Sequence, residues 1–175
     1  PIGGSDDVLV ERALKGAISF IENRTGRIIA PTLVQYRLDD WPCDWDLKVP
    51  HAPIRDVVDV RYVGEDGIER SIGDENWSWE GESDGAVISW AQLSSIPSLH
   101  TTQKGTVRVN FQAGYNLPDE SGTGDDPNLA LPEDLKIAIL MLTSHWYENR
   151  GLTSAEQQNS VPMAVDTLIN RFKIF

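Results

Sequence analysis

Residues 131–150 read LPEDLKIAILMLTSHWYENR, and this stretch decides the fold. Leu135, Ala138, Ile139, Leu142 and Trp146 recur at steps of three and four, the spacing of one face of an α-helix. Pro132 stands at the entrance, where a missing N–H costs little, and Glu133 and Asp134 put negative charge at the positive end of the helix dipole. Ile137, Leu140 and Met141 make most of the remaining surface apolar. A helix apolar nearly all round is a buried one, so this segment predicts packing by a sheet, by another helix or by a neighbouring subunit.

The same period flanks it at a distance on both sides. From Ser5 to Gly26, Val10, Leu14, Ala17, Ile18 and Ile21 repeat helically, with Ser5, Asp6 and Asp7 supplying a cap and first-turn acids. Gly26, between Arg24 and Arg27, suits the left-handed position that ends a helix, whereas Gly16 slightly weakens the interior. After a polar stretch from Gly151 to Ser160, Val165, Leu168, Ile169 and Phe172 predict a short last helix.

Between residues 28 and 114 the period falls to two. Val34, Tyr36 and Leu38 alternate with Gln35 and Arg37; Val58, Val60 and Tyr62 with Asp59 and Arg61; Val107, Val109 and Phe111 with Arg108 and Asn110. Ala86 to Trp90 reads as a further strand, and Asp66-Gly67 is a hairpin turn. Pro31, Pro42, Pro50 and Pro53 favour edge strands or corners in the early part. The expected class is α+β, a helical body with one small antiparallel β-sheet inserted. It is read as a single domain: N-terminal helix 1–27, β region 28–114, acidic loop 115–131, and helices with the C-terminal tail 132–175.

Composition narrows the function. The 175 residues hold 15 basic and 27 acidic side chains, a formal net charge of -12. Phosphate neutralisation needs clustered Lys and Arg, so this balance opposes stable nucleic-acid binding. Eighteen of the acids fall in three turn-rich stretches, 39–46, 65–84 and 119–134, while the last fifteen residues are nearly neutral. Cys43 alone allows neither an intrachain disulfide nor a multi-thiolate zinc site. The longest apolar run, Ile137 to Leu142, is far short of the roughly 20 residues of a membrane helix, and no signal peptide is evident.

Signatures of catalysis are sparse. There is no nucleophile elbow, phosphate-binding loop, dinucleotide fingerprint or His-Glu-x-x-His helix, and His51, His100 and His145 lack ligand spacing. His145 reads as a hydrogen-bonded core residue. Asp39, Asp40, Asp44 and Asp46 interleave with Trp41 and Trp45, which is what a small carbohydrate-binding or glycan-hydrolysing domain would need. Acidic turns and partly buried Trp explain the same residues more simply. Residues 119–127 carry acids, but their spacing departs from a calcium loop. No catalytic residue, cofactor or metal site is assigned. At the C-terminus, Phe172, Ile174 and Phe175 leave large apolar groups that either pack on the chain's own core or dock on a partner.

Taken in order, several segments resemble one family. Leu131 to Leu142 followed by His145-Trp146-Tyr147-Glu148-Asn149-Arg150 resembles the C-terminal helix of head-tail connector (adaptor) proteins of long-tailed bacteriophages and gene transfer agents. The helix ending Thr25-Gly26-Arg27, the segment Pro53-Ile54 through Val60-Arg61-Tyr62-Val63 with Asp66-Gly67, and Val107 to Tyr115 fit in turn, as do Val161-Pro162 through Leu168 and the aromatic end. The acidic loop at 118–130 looks long for the family.

The resemblance implies a structural, non-enzymatic subunit of a ring expected to be dodecameric. Such a ring joins the portal protein to the next tail-side connector or stopper and lets DNA pass through its channel without specific binding. It implies subunit packing through Ile137, Leu140, Met141, Trp146 and Tyr147, and portal docking through Phe172, Lys173, Ile174 and Phe175. The expected location is the head-tail interface of a virion or virus-like particle assembled in the bacterial cytoplasm, with no cofactor and no membrane.

Overall fold

The computed structural model describes residues 5–44, 46–82, 84–90, 97–116, 129–149 and 163–174. They divide into two compact units, a helical one from Pro1–Ile29 with Ala130–Phe175 and a β unit from Ala30–Leu129. The α+β class expected from the periodicities is the class observed.

The helical unit contains α1 (Ser5–Thr25), α2 (Glu133–Glu148) and α3 (Met163–Ile169). The α1 helix ends as Gly26 takes φ 75°, with its N–H still bonded to the Glu22 carbonyl at 2.8 Å. At the start of α2 the Pro132 carbonyl accepts from the N–H groups of Leu135 and Lys136, so the proline occupies an end where no amide is needed. The core joins Ala17 and Ile21 of α1 to Leu135, Ala138, Ile139 and Leu142 of α2 and Val165 and Ile169 of α3, all buried. Each large member contributes about 1.5–3 kcal/mol relative to exposure.

Gly16 has a packing reason. A Cβ at that position would lie 3.1 Å from the Trp146 ring, so its absence lets α2 approach closely. Val10 was expected on the buried stripe but is exposed, with Val8 and Leu9. At 1.5 Å per residue, the 21 residues of α1 span about 31 Å and the 16 of α2 about 24 Å, so α1 outruns the helix it packs on.

The β unit contains β1 (Thr32–Leu38), β2 (Asp46–Val49), β3 (Ile54–Val63), β4 (Glu69–Ile72), β5 (Trp77–Glu82), β6 (Gly85–Trp90) and β7 (Val107–Ala113). The single small sheet expected from sequence is two sheets, one in the order β1-β7-β3-β4 and one in the order β2-β6-β5, with every pairing antiparallel. Pro31 precedes β1, and Pro42 and Pro50 flank β2; both strands lie at sheet edges, where an absent amide breaks no ladder. Gly67, with φ 77°, turns β3 into β4, and the Asp66 carboxylate accepts the Ile68 N–H at 3.1 Å.

One alternation fails. Val58 was read on the inner face with Val60, yet it is 45% exposed while Val57 and Val60 are buried. The register of β3 on β7 shifts between Ile54 and Asp56 and again between Val57 and Asp59. Each shift inserts a residue and moves the following side chains to the other face, so Ile54, Val57 and Val60 all point inward. Val49, Ile88, Val107, Val109 and Phe111 complete that core.

Candidate docking surfaces

The surface of the helical unit follows from how few sides of α2 the chain covers. Leu135, Ala138, Ile139 and Leu142 face inward, but Ile137 is 45%, Leu140 64% and Met141 36% exposed. The helix expected to be covered nearly all round is therefore covered on one side within this chain. Trp146 and Tyr147, grouped with these residues on sequence, differ from them in placement. The Trp146 ring meets Phe20 edge to face, centroids 6.0 Å apart, and both Trp146 and Tyr147 are half-buried.

The tail folds back on its own unit. Arg27 Nε donates to the Phe172 carbonyl at 2.7 Å, and the Arg27 and Arg171 guanidinium carbons lie 5.9 and 4.7 Å from the Phe172 ring centroid. The Ile174 N–H donates to the Thr25 carbonyl at 2.8 Å, satisfying a C-terminal group of α1. Arg171 also pairs with Asp134 of α2. Within the chain, Phe172 and Ile174 pack on their own unit; Phe175 lies outside the described residues.

In the β unit Asp39 and Trp41 of the 39–46 stretch are used in the fold. Asp39 accepts the Gly105 N–H at 2.7 Å through its carboxylate and the Thr106 hydroxyl at 2.8 Å through its carbonyl. Trp41 Nε1 donates to the Pro97 carbonyl at 3.0 Å, and its ring lies 5.9 Å from Tyr62 and 6.4 Å from Trp90, centroid to centroid. A ring engaged in this way is no free sugar platform. Trp45 and residues 119–127 lie outside the described residues.

The depression lined by Asp39, Asp40, Trp41 and Pro97 through Lys104 has a volume of about 640 Å³. One of its lining groups, His100 Nδ1, accepts backbone N–H groups of Thr102 and Gln103 and so shapes a turn. The His51 ring lies tilted to that of Phe111, centroids 6.0 Å apart, and burial pushes its imidazole below the ordinary value of 6.5. His145 Nδ1 stands 3.2 Å from Nδ2 of Asn149, which follows α2, while its buried Nε2 has no hydrogen-bond partner among the described residues. These three groups do not converge, and among the described residues no cluster of His, Cys, Asp or Glu could hold a metal ion.

Charge on the β unit is organised in local pairs. Burial raises the Asp59 carboxyl, but hydrogen bonds from Arg61 and Asn110 and the Arg61 charge outweigh it, leaving the carboxyl below its ordinary value. Arg70 holds Asp66 well below the carboxylate range by hydrogen bonds in the β3–β4 turn. Lys48 is held charged by hydrogen bonds to Asp84 and Glu82.

The helical unit thus carries an exposed apolar helix face, and the β unit next to it in sequence uses its polar groups in turns and ladders. Residues 102–173 match the family described as phage gp6-like head-tail connector protein. A chain of the "Neck of empty GTA particle computed with C6 symmetry" is 26% identical with TM-score 0.74, over 98% of this chain and 80% of that one. A chain of the "Virion of native gene transfer agent (GTA) particle" is also 26% identical with TM-score 0.74, over 99% and 80%. The "Neck of native GTA particle computed with C12 symmetry" contributes a chain of the same fold, 24% identical with TM-score 0.72, over 95% and 82%. No curated protein matches. The resemblance read from the sequence thus recurs in the match over residues 102–173 and in the shared fold of these neck and virion chains.

Proposed function

We propose that the chain is a structural subunit of a particle neck that closes with copies of itself into a ring, dodecameric as in the C12 neck whose chain shares its fold. The ring joins the portal to the next tail-side connector or stopper. It catalyses nothing and needs no cofactor, and DNA passes through its channel without specific binding. Assembly takes place in the bacterial cytoplasm, and the finished protein lies at the head-tail interface.

The observation that carries this reading is the uncovered face of α2. Ile137, Leu140 and Met141 lie exposed on a helix whose opposite side is a complete core, and a neighbouring subunit is the partner that a connector offers. The net charge of -12 suits a channel that repels phosphate instead of gripping it. No helix among the described residues is long and apolar enough to cross a membrane.

Portal docking is assigned to Phe172, Lys173, Ile174 and Phe175. The contacts of Phe172 with Arg27 and of Ile174 with Thr25 would present the tail from the end of α1. Deleting these four residues tests the assignment. The truncated chain should keep its helical circular-dichroism signal and its ring while losing portal binding; unchanged portal binding would remove the tail from the interface. A carbohydrate-binding reading of Trp41 predicts quenching of Trp fluorescence by soluble glycans, and the connector reading predicts none.

A further inference from the structure

Strand register brings three arginines into one row. Arg37 of β1 stands opposite Arg108 of β7, and Arg108 stands opposite Arg61 of β3, all on the side of the four-stranded sheet turned away from the core. Adjacent strands lie about 4.8 Å apart, so the row spans about 10 Å. Like charges directly opposite are unfavourable unless compensated. Asp59 compensates Arg61 at 2.8 Å and Glu69 compensates Arg108 at 2.9 Å. Arg37 bonds the Gln35 amide oxygen at 2.7 Å and has no carboxylate partner among the described residues. It stands on an edge strand, at the open end of the row.

With Arg61 and Arg108 paired, Arg37 is the uncompensated cation of this row among the described residues, whereas the outward side of the other sheet has acids in excess. Asp46 of β2 and Glu80 and Glu82 of β5 are exposed, with Asp84 in the turn that follows. The cation on this side, Lys48, is shared between Glu82 at 3.3 Å and Asp84 at 3.1 Å. Asp46 and Glu80 have no cationic partner among the described residues. Both sheets bury their other side in the core of the same unit, through Val109 and Phe111 in one and Val49 and Ile88 in the other.

We propose that the Arg37–Arg108–Arg61 face of one copy docks on the Asp46–Glu80–Glu82 face of a second copy. Two different, complementary faces on one unit make a heterologous contact, the kind that closes into a ring when its rotation allows. Exposed ion pairs add little affinity singly but set register and speed encounter. The charged faces thus set how the β unit of one copy meets that of the next. This proposal rests on the ring reading above.

Charge reversal tests it with the full chain in the presence of portal, read by native mass spectrometry at low salt. Arg37→Glu and Glu80→Lys should each raise the concentration needed for ring formation about tenfold while leaving circular dichroism unchanged, because both side chains are exposed. An equimolar mixture of the two variants should assemble like wild type, since alternating subunits restore opposite charges at every contact. Rings from either single variant at the wild-type concentration, or a mixture no better than its components, overturn the proposal and leave the ring reading intact. A wild-type chain that stays monomeric with portal present removes the ring reading, and this proposal with it.

Discussion

Replacing Leu140 separates the stability of the chain from its assembly. Full burial of a leucine yields about 1.5–3 kcal/mol. Leu140 is 64% exposed, so about two-thirds of that, roughly 1–2 kcal/mol, remains to be gained when a neighbour covers it. Leu140→Ala should therefore weaken each subunit contact about five- to thirty-fold, since 1.4 kcal/mol is tenfold in an equilibrium constant. Leu140→Asp should do more, because the contact would bury a carboxylate whose neighbour one turn away, Lys136, is already paired with Glu133. Neither change touches the core of Leu135, Ala138, Ile139 and Leu142, and alanine is at least as good a helix former as leucine, so the isolated chain should keep its stability to within about 0.5 kcal/mol. Thermal unfolding of the dilute chain and light scattering across a concentration series with portal read the two quantities. Wild-type assembly by Leu140→Asp would refute the assignment of this face to subunit packing, and a large fall in melting temperature of the dilute chain would refute the claim that the face is uncovered.

Three further changes probe the fold. Gly114 has φ 118°, and a Cβ there would lie 2.6 Å from the Ala30 carbonyl oxygen, so Gly114→Ala should combine backbone strain and overpacking of about 1–3 kcal/mol each; differential scanning calorimetry should show a fall of at least about 8 °C. His51 has its pKa depressed by burial, so its contribution is complete above the ordinary value of 6.5 and declines as pH falls from there through the folded-state value; urea titrations should show that slope in wild type and lose it in His51→Asn. Arg27→Ala removes the bond to the Phe172 carbonyl and a cation from that ring, and should speed hydrogen exchange at the Ile174 amide at least several-fold without unfolding α2.

The helices were legible because their information is local. The stripe of Leu135, Ala138, Ile139 and Leu142 and the cap-and-stop residues around Gly26 fix type and ends within a few positions. The sheets were legible strand by strand but not as a pair of sheets, since pairing is decided between residues as distant as Val34 and Phe111. The bulges in β3 escaped notice because Val58 satisfies alternation in the sequence, and only the register on β7 turns it outward. The same limit applies to docking surfaces. Periodicity shows that Ile137, Leu140 and Met141 are apolar but not which side the chain itself covers, and no short-range pattern places Arg37, Arg108 and Arg61 in one row. For the tail, a contact between Arg27 and Phe172 joins residues 145 positions apart, so composition alone left its packing open.

The central claim is that this chain is a ring-forming neck subunit. Its most direct test is the mass and symmetry of the species formed on portal-bearing particles, by native mass spectrometry and class-averaged electron microscopy. The account predicts one closed ring with twelve-fold symmetry. Single chains scattered on the particle, or no bound chain at all, would contradict it.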